Sequence, residues 1–152
     1  MKLDLAWAAN LEEKVYAARF LESLTPHILR PRTQDNFQAA AVLADGDVRG
    51  VVLFTDWFPE YRTMQVHIGG TGPGWLSRSI LRELFAYAYL KSDVNKLWCL
   101  MRHDQPHVLA FNKRLGFRPE GTLKDQFGPG VHGVVARMTF GEWRRTPYFV
   151  EA

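Results

Sequence analysis

The segment that most constrains this chain is Gly69-Gly70-Thr71-Gly72-Pro73-Gly74, set between two elements of opposite kind. Before it, Met64 to Ile68 reads as a strand that stops at Gly69-Gly70. After it runs a long helix with Leu76, Ile80, Leu84 and Tyr87 on one stripe and Leu81, Phe85 and Ala88 beside it. A strand that passes through glycines into a helix belongs in a sheet with helices packed on it. The segment also suggests chemistry. Glycines let a backbone approach a phosphate closely, and the first N–H groups of a helix point at an anion with the helix dipole behind them. The amides of Gly72, Gly74, Trp75, Leu76 and Ser77 can form such a cradle, and Arg78 can add a charge. No Gly-Lys-Ser/Thr follows, so this is not a Walker loop, and the spacing is not that of a dinucleotide fingerprint. Taken alone, a Gly-Pro turn leading into a helix explains the segment equally well.

The rest of the chain supplies the sheet. A helix near 11–24 has Asn10 as its cap and Glu13 in a capping-box position, and Pro26 ends it. Residues 27–36 are polar and hold Pro31, which reads as a loop with at most a short helical turn. Ala39–Ala44 and Val48–Asp56 flank Asp45-Gly46-Asp47, a hairpin signal because the turn needs φ > 0. Trp57-Phe58-Pro59-Glu60 reads as a break. Lys96–Met101 is a short apolar strand. Asp104 or Gln105 can cap a helix with Pro106 near its first position and Gly116 at its stop, with Val108, Phe111 and Leu115 facing one way. Strands around Arg118–Lys124 and Gly133–Phe140 follow, with Gly128-Pro129-Gly130 between them. The order is helix, three strands, helix, strand, helix, two strands. That order indicates an α/β or α+β sheet with helices on both faces. No repeat or linker divides residues 1–152, which reads as a single domain.

Composition narrows the function classes. With 47% hydrophobic and 13% aromatic residues, the chain can bury a core and is not a disordered polymer. No apolar run reaches the roughly 18 residues of a membrane span. The first residues, MKLDLAWAANLEEK, turn acidic too soon for a signal peptide, and the lone Cys99 fits a reducing compartment. The expectation is a cytoplasmic protein with no membrane partner. The net charge of +3 comes from scattered residues, and the longest basic cluster is Arg144-Arg145. That pattern argues against a nucleic-acid binder and suits a small anionic ligand. His67, His103, His107 and His132 lack a tight ligand motif, and Pro106 interrupts the His103-x-x-x-His107 spacing, so no metal is expected. Trp57, Phe58 and Tyr61 read as a hydrophobic lid at the sheet edge, with an acceptor pocket or base stacking as other uses. The tail Trp143–Phe149 is apolar enough to pack on the domain or on a second subunit.

The run Lys113-Arg114-Leu115-Gly116-Phe117-Arg118-Pro119-Glu120-Gly121 gives the chain a family likeness. It resembles the segment closing the fourth helix and opening the sixth strand of GNAT-superfamily acetyltransferases. Phe85-Ala86-Tyr87-Ala88-Tyr89 and Ala136–Trp143, ending in Glu142-Trp143, fall at the matching distances, so the likeness covers about 48–143. It implies a mixed, mostly antiparallel sheet. It implies acetyl-CoA as cofactor and direct acetyl transfer to a primary amine, on a small molecule or a peptide, by a monomer or homodimer. The strand holding Val66, His67 and Ile68 would pair by backbone with the pantetheine arm. It would splay from Leu97–Met101, and 72–78 would hold the pyrophosphate. The chain departs from the family in two places. Its loop, Gly72-Pro73-Gly74-Trp75-Leu76-Ser77, has Trp75 for the central glycine, like family members with a Trp-Leu-Ser/Thr-Arg stretch. Asn112 stands where the family often has the Tyr that protonates the leaving thiolate, and Gln105 where many members have Asn. A binding protein of the same fold, impaired in catalysis, is the alternative.

Amine acetylation needs a deprotonated amine held against the thioester. His67 is the first candidate base, since its strand would face the thioester, and His103 is the second. Asp56 and Glu60 can bind a cationic acceptor, and Cys99 is not read as a nucleophile. The acceptor would be recognised by the loops at 26–36, 57–62 and 125–132.

Overall fold

A computed structural model describes residues 2–24 and 37–152; the loop expected at 27–36 lies outside the described residues. In chain order the elements are β1 (Leu3–Trp7), α1 (Leu11–Leu24), β2 (Gln38–Ala44), β3 (Asp47–Phe58), β4 (Thr63–Gly70), α2 (Arg78–Ala86), β5 (Lys96–Arg102), α3 (Pro106–Leu115), β6 (Arg118–Leu123), β7 (Gly133–Thr139) and the single turn α4 (Phe140–Trp143). The strands form one sheet in the order β1-β2-β3-β4-β5-β7-β6. Every neighbouring pair is antiparallel except β4–β5. The expectation of a mixed, mostly antiparallel sheet with helices on both faces is met.

Two apolar clusters show how the faces are covered. On one face, Ala17, Ala18 and Leu21 of α1 pack on Ala39, Val51 and Leu53. On the other, Ile80, Leu81, Leu84 and Phe85 of α2 pack on Val52, Phe54, Met64, Val66 and Leu97, with Leu115 and Phe117 beside them. Full burial of such a side chain contributes about 1.5–3 kcal/mol, so these stripes hold the helices in place. Asn10 caps α1 by accepting the Glu13 N–H at 2.9 Å, while the Glu13 carboxylate reaches back to the Ala9 N–H at 2.7 Å. Gly116 ends α3 with φ 114°, and Leu115 and Phe117 on either side of it enter the core.

Four sequence readings are corrected. The chain opens with β1, whose Leu3, Leu5 and Trp7 alternate with the more exposed Asp4 and Ala6. Trp57-Phe58 is not a break. β3 runs on to Phe58, which pairs with Thr63, and a bulge with Asp56 at φ 52° absorbs the irregularity. Gly69-Gly70 does not stop β4 either. The two residues pair with Val51 and Gly50 inside the sheet. They are glycine because neighbours occupy the space a side chain would need. A Cβ on Gly69 would lie 2.3 Å from Leu21 Cδ1, and one on Gly70 would lie 2.2 Å from the Trp75 indole. Finally, the long helix starts later than its apolar stripe. Ser77 precedes its first turn, and Tyr87–Lys91 continues it as a π-turn.

Candidate active site at the splayed strands

β4 and β5 pair only at Thr63–Lys96, Met64–Leu97 and Gln65–Trp98. Beyond that they share no pairing, although β4 continues to Gly70 and β5 to Arg102. Their outer edges remain occupied, β4 by β3 and β5 by β7. The result is a wedge inside the sheet, lined by the backbone of Val66–Gly70 on one side and Cys99–Arg102 on the other. Backbone donors and acceptors at such an edge need partners, and an extended chain with amides of its own can supply them. The splay expected at Val66–Ile68 is present, although Leu97 and Trp98 still pair.

The glycine-rich loop stands at the far end of β4. Thr71 N–H donates to Arg49 O at 2.8 Å, which ties the loop to β3. The Trp75 ring then lies over Gly50 and Gly70, where added Cβ atoms would come within 2.4 Å and 2.2 Å of it, and Trp75 is 7% exposed. The Trp75 side chain is therefore an anchor in the core, and it is the amide, as expected for the cradle, that is left available. Gly72 and Gly74 take φ 75° and 78°, with open space where a Cβ would point. Ser77 Oγ caps α2 by accepting the Ile80 N–H at 3.2 Å. The amides of Gly72, Gly74, Trp75, Leu76 and Ser77 thus belong to the loop before the helix, not to the helix start. Among the described residues none accepts a hydrogen bond from them. Arg78 is exposed beside them.

His67 lies in the unpaired half of β4. It is cross-strand to Leu53, which places its side chain on the α1 face of the sheet. The imidazole is 8% exposed, and Nε2 lies 2.8 Å from Thr55 Oγ1. The Thr55 hydroxyl also donates to Asp56 Oδ2 at 2.9 Å. Burial pushes the His67 pKa down to about 4, against a smaller upward pull from Asp56. The ring is neutral at pH 7. It offers a lone pair rather than a resting charge. Thr55 and Gly50 were not singled out from the sequence. The Asp45-Gly46 turn, which sets the β2–β3 register, is the local signal nearest to them.

The other expected residues sit elsewhere. His103 is exposed past the end of β5, and its Nδ1 accepts the His132 N–H at 2.8 Å. No described contact joins it to His67. Asn112 is 8% exposed, and its amide donates to Val108 O at 3.0 Å and to Met101 Sδ at 3.1 Å. An amide held there is not a proton donor of phenol strength. Burial pushes the Cys99 thiol up to about 12, so it stays protonated. Asp56 and Glu60 are exposed at the end of β3, near Trp57, Phe58 and Tyr61, which are also exposed rather than closed as a lid. A cavity of about 370 Å³ lies away from the wedge, lined by Lys113, Gly116, Phe117, Arg118 and Glu142 among others. Among the described residues no three His, Cys, Asp or Glu side chains could hold a metal, and no helix is long and apolar enough to cross a membrane.

No protein-family model matches the sequence, and no curated protein matches it. Solved structures do. A probable acetyltransferase superposes with TM-score 0.63 at 22% identity, covering 71% of this chain, which spans 64% of that protein's length. A dodecameric spermidine N-acetyltransferase from Vibrio cholerae superposes with TM-score 0.73 at 15% identity, over 94% of this chain and 96% of its own. A chimera of the Vibrio cholerae enzyme reaches TM-score 0.75 at 15% identity, over 96% and 100%. With its sheet order, its wedge at β4–β5 and these likenesses, the chain has the fold of the GNAT acetyltransferases.

Proposed function

We propose that the protein is an acetyl-CoA-dependent N-acetyltransferase that passes the acetyl group directly to a primary amine. The observation that carries this reading is the wedge between β4 and β5 with a loop of unpaired amides at its head. The wedge suits an extended arm with amide groups, and the loop suits a pyrophosphate. Coenzyme A joins both features, and its thioester supplies an activated acyl group. Val66 and Ile68 hold the arm through their backbone. Gly72, Gly74, Trp75, Leu76 and Ser77 hold the phosphates by their amides, and Arg78 adds a charge. Trp75 keeps the loop in place through its ring, so the Trp-Leu-Ser-Arg stretch is the loop's working form here.

On the α1 face, His67 presents its imidazole beside the wedge. Held neutral by burial, it accepts a hydrogen bond from the acceptor amine and orients the nitrogen lone pair towards the acyl carbon. Asn112 and His103 are assigned no proton transfer, because the Asn112 amide donates to Val108 and Met101 and His103 stands exposed past the end of β5 with Nδ1 accepting the His132 N–H. The acceptor class is a small cationic amine. Enzymes of this fold include a spermidine N-acetyltransferase, and the exposed Asp56 and Glu60 give a positive acceptor a place to bind.

The test has two stages. Isothermal titration with acetyl-CoA should show one site. Thiol release should then follow with at least one member of a panel of polyamines, amino sugars, lysine and peptide N-termini. Binding without turnover on any amine would favour an impaired acyl-CoA binder. Absence of binding would end both readings.

A further inference from the structure

Three groups on the α1 face, His67, Thr55 and Asp56, form a chain of hydrogen bonds whose joint role the proposed function leaves open. Thr55 and His67 are diagonal neighbours on β3 and β4, because Thr55 is cross-strand to Gln65 and Leu53 to His67. Their contact is Nε2 to Oγ1 at 2.8 Å, and the same oxygen lies 2.9 Å from Asp56 Oδ2. A threonine hydroxyl has one proton, and an ionised carboxylate only accepts. The hydroxyl proton therefore points at Asp56, and the ring must donate from Nε2. This fixes the imidazole as the Nε2–H tautomer with its lone pair on Nδ1. Among the described residues no group bonds Nδ1. The chain starts at a buried ring and ends at an exposed carboxylate, which the bulge carries out of the strand with Asp56 at φ 52°.

We propose that Thr55 and Asp56 make His67 the inner end of a proton relay between the wedge and the exposed Asp56 carboxylate. This rests on the acetyltransferase reading and deepens it. The acceptor ammonium first gives one proton to solvent water and enters as the free amine; as its nitrogen bonds to the acyl carbon, one remaining N–H bond breaks and Nδ1–H forms. Nε2 gives its proton to Thr55 Oγ1, and the hydroxyl proton passes to the Asp56 carboxylate. As the sulfur leaves it takes the Nδ1 proton, and in the same step the Asp56 proton returns through Thr55 to Nε2, so all three groups regain their starting forms. No full charge rests on the buried ring, which is the state its surroundings penalise. His67 is the catalytic residue of the three, and Thr55 and Asp56 are positioning residues.

The test joins a spectroscopic readout to a kinetic one, in the full chain. Imidazole ¹⁵N correlation spectra of wild type should show His67 protonated on Nε2. Thr55→Val should lose that fixed tautomer, and Thr55→Ser should keep it. With an amine that the wild type acetylates, Thr55→Val should lower kcat by about tenfold or more, within the usual range of proton-transfer effects, and leave acetyl-CoA affinity unchanged. Thr55→Ser should restore most of the rate, and Asp56→Asn should slow it. A wild-type ring protonated on Nδ1, or a Thr55→Val variant as fast as wild type, overturns the relay. A ring protonated on Nε2 in a protein that acetylates no amine instead overturns the acetyltransferase reading on which the relay rests.

Discussion

The two faces of the wedge are built from different materials. On the α2 side the candidate site is backbone: loop amides and a bare strand edge, with side chains serving only as anchors beneath. On the α1 side it is side chain: one imidazole, one hydroxyl and one carboxylate in a hydrogen-bonded row. A backbone site tolerates a change of residue wherever the chain path survives. Trp75 shows this, since it replaces a glycine of the family's usual loop and still leaves an amide with no acceptor among the described residues, its ring seated over Gly50 and Gly70. A side-chain site has no such tolerance, because each group supplies an atom that no neighbour can replace. The first face should therefore fail through packing and the second through protons.

The largest separation should come from Trp75→Ala. Loss of a 7%-exposed indole should cost about 3–5 kcal/mol in urea denaturation and weaken acetyl-CoA binding, while His67 keeps its tautomer. A cost under about 1 kcal/mol would mean that the ring does not anchor the loop.

Acid should strike the other face. The folded His67 pKa, about 4, lies below its ordinary 6.5, so the unfolded chain takes up the proton first as pH falls. The contribution is full above pH 6.5 and is lost between 6.5 and about 4. At its limit the loss is on the order of 3 kcal/mol. His67→Gln should flatten that part of a stability–pH curve, and a curve with the wild-type slope would refute the assignment.

Gly70→Ala comes next. Its new Cβ would lie 2.2 Å from the indole, so the ring must move, at about 1–3 kcal/mol, with looser acetyl-CoA binding in a calorimetric titration. The smallest effect should be that of Ser77→Ala, which removes the cap on the Ile80 N–H and costs about 1 kcal/mol in the same denaturation assay.

The contrast between the faces also explains what the sequence made legible. Gly116, Pro106 and the Asp45-Gly46 turn were readable because each answers a local φ/ψ demand. Gly69-Gly70 was misread because glycine marks a turn and a close approach equally well, and only the positions of Leu21 and Trp75 tell them apart. β1 was overlooked because five residues of alternation make a short signal. His67 was singled out from its strand. Thr55 was not, because their contact depends on a diagonal register across a hairpin with a bulge near Thr55. The loop amides were picked out as a group from the glycine pattern, but the apolar stripe placed the helix start too early, and the Ser77 cap corrects it.

The account turns on where coenzyme A binds. Amide ¹H–¹⁵N spectra recorded during a titration with it should show the largest shifts at Val66–Gly70 and Gly72–Ser79, with smaller ones along Cys99–Arg102. Shifts concentrated instead around Lys113–Arg118 and Glu142–Thr146, or no shifts at all, would contradict it.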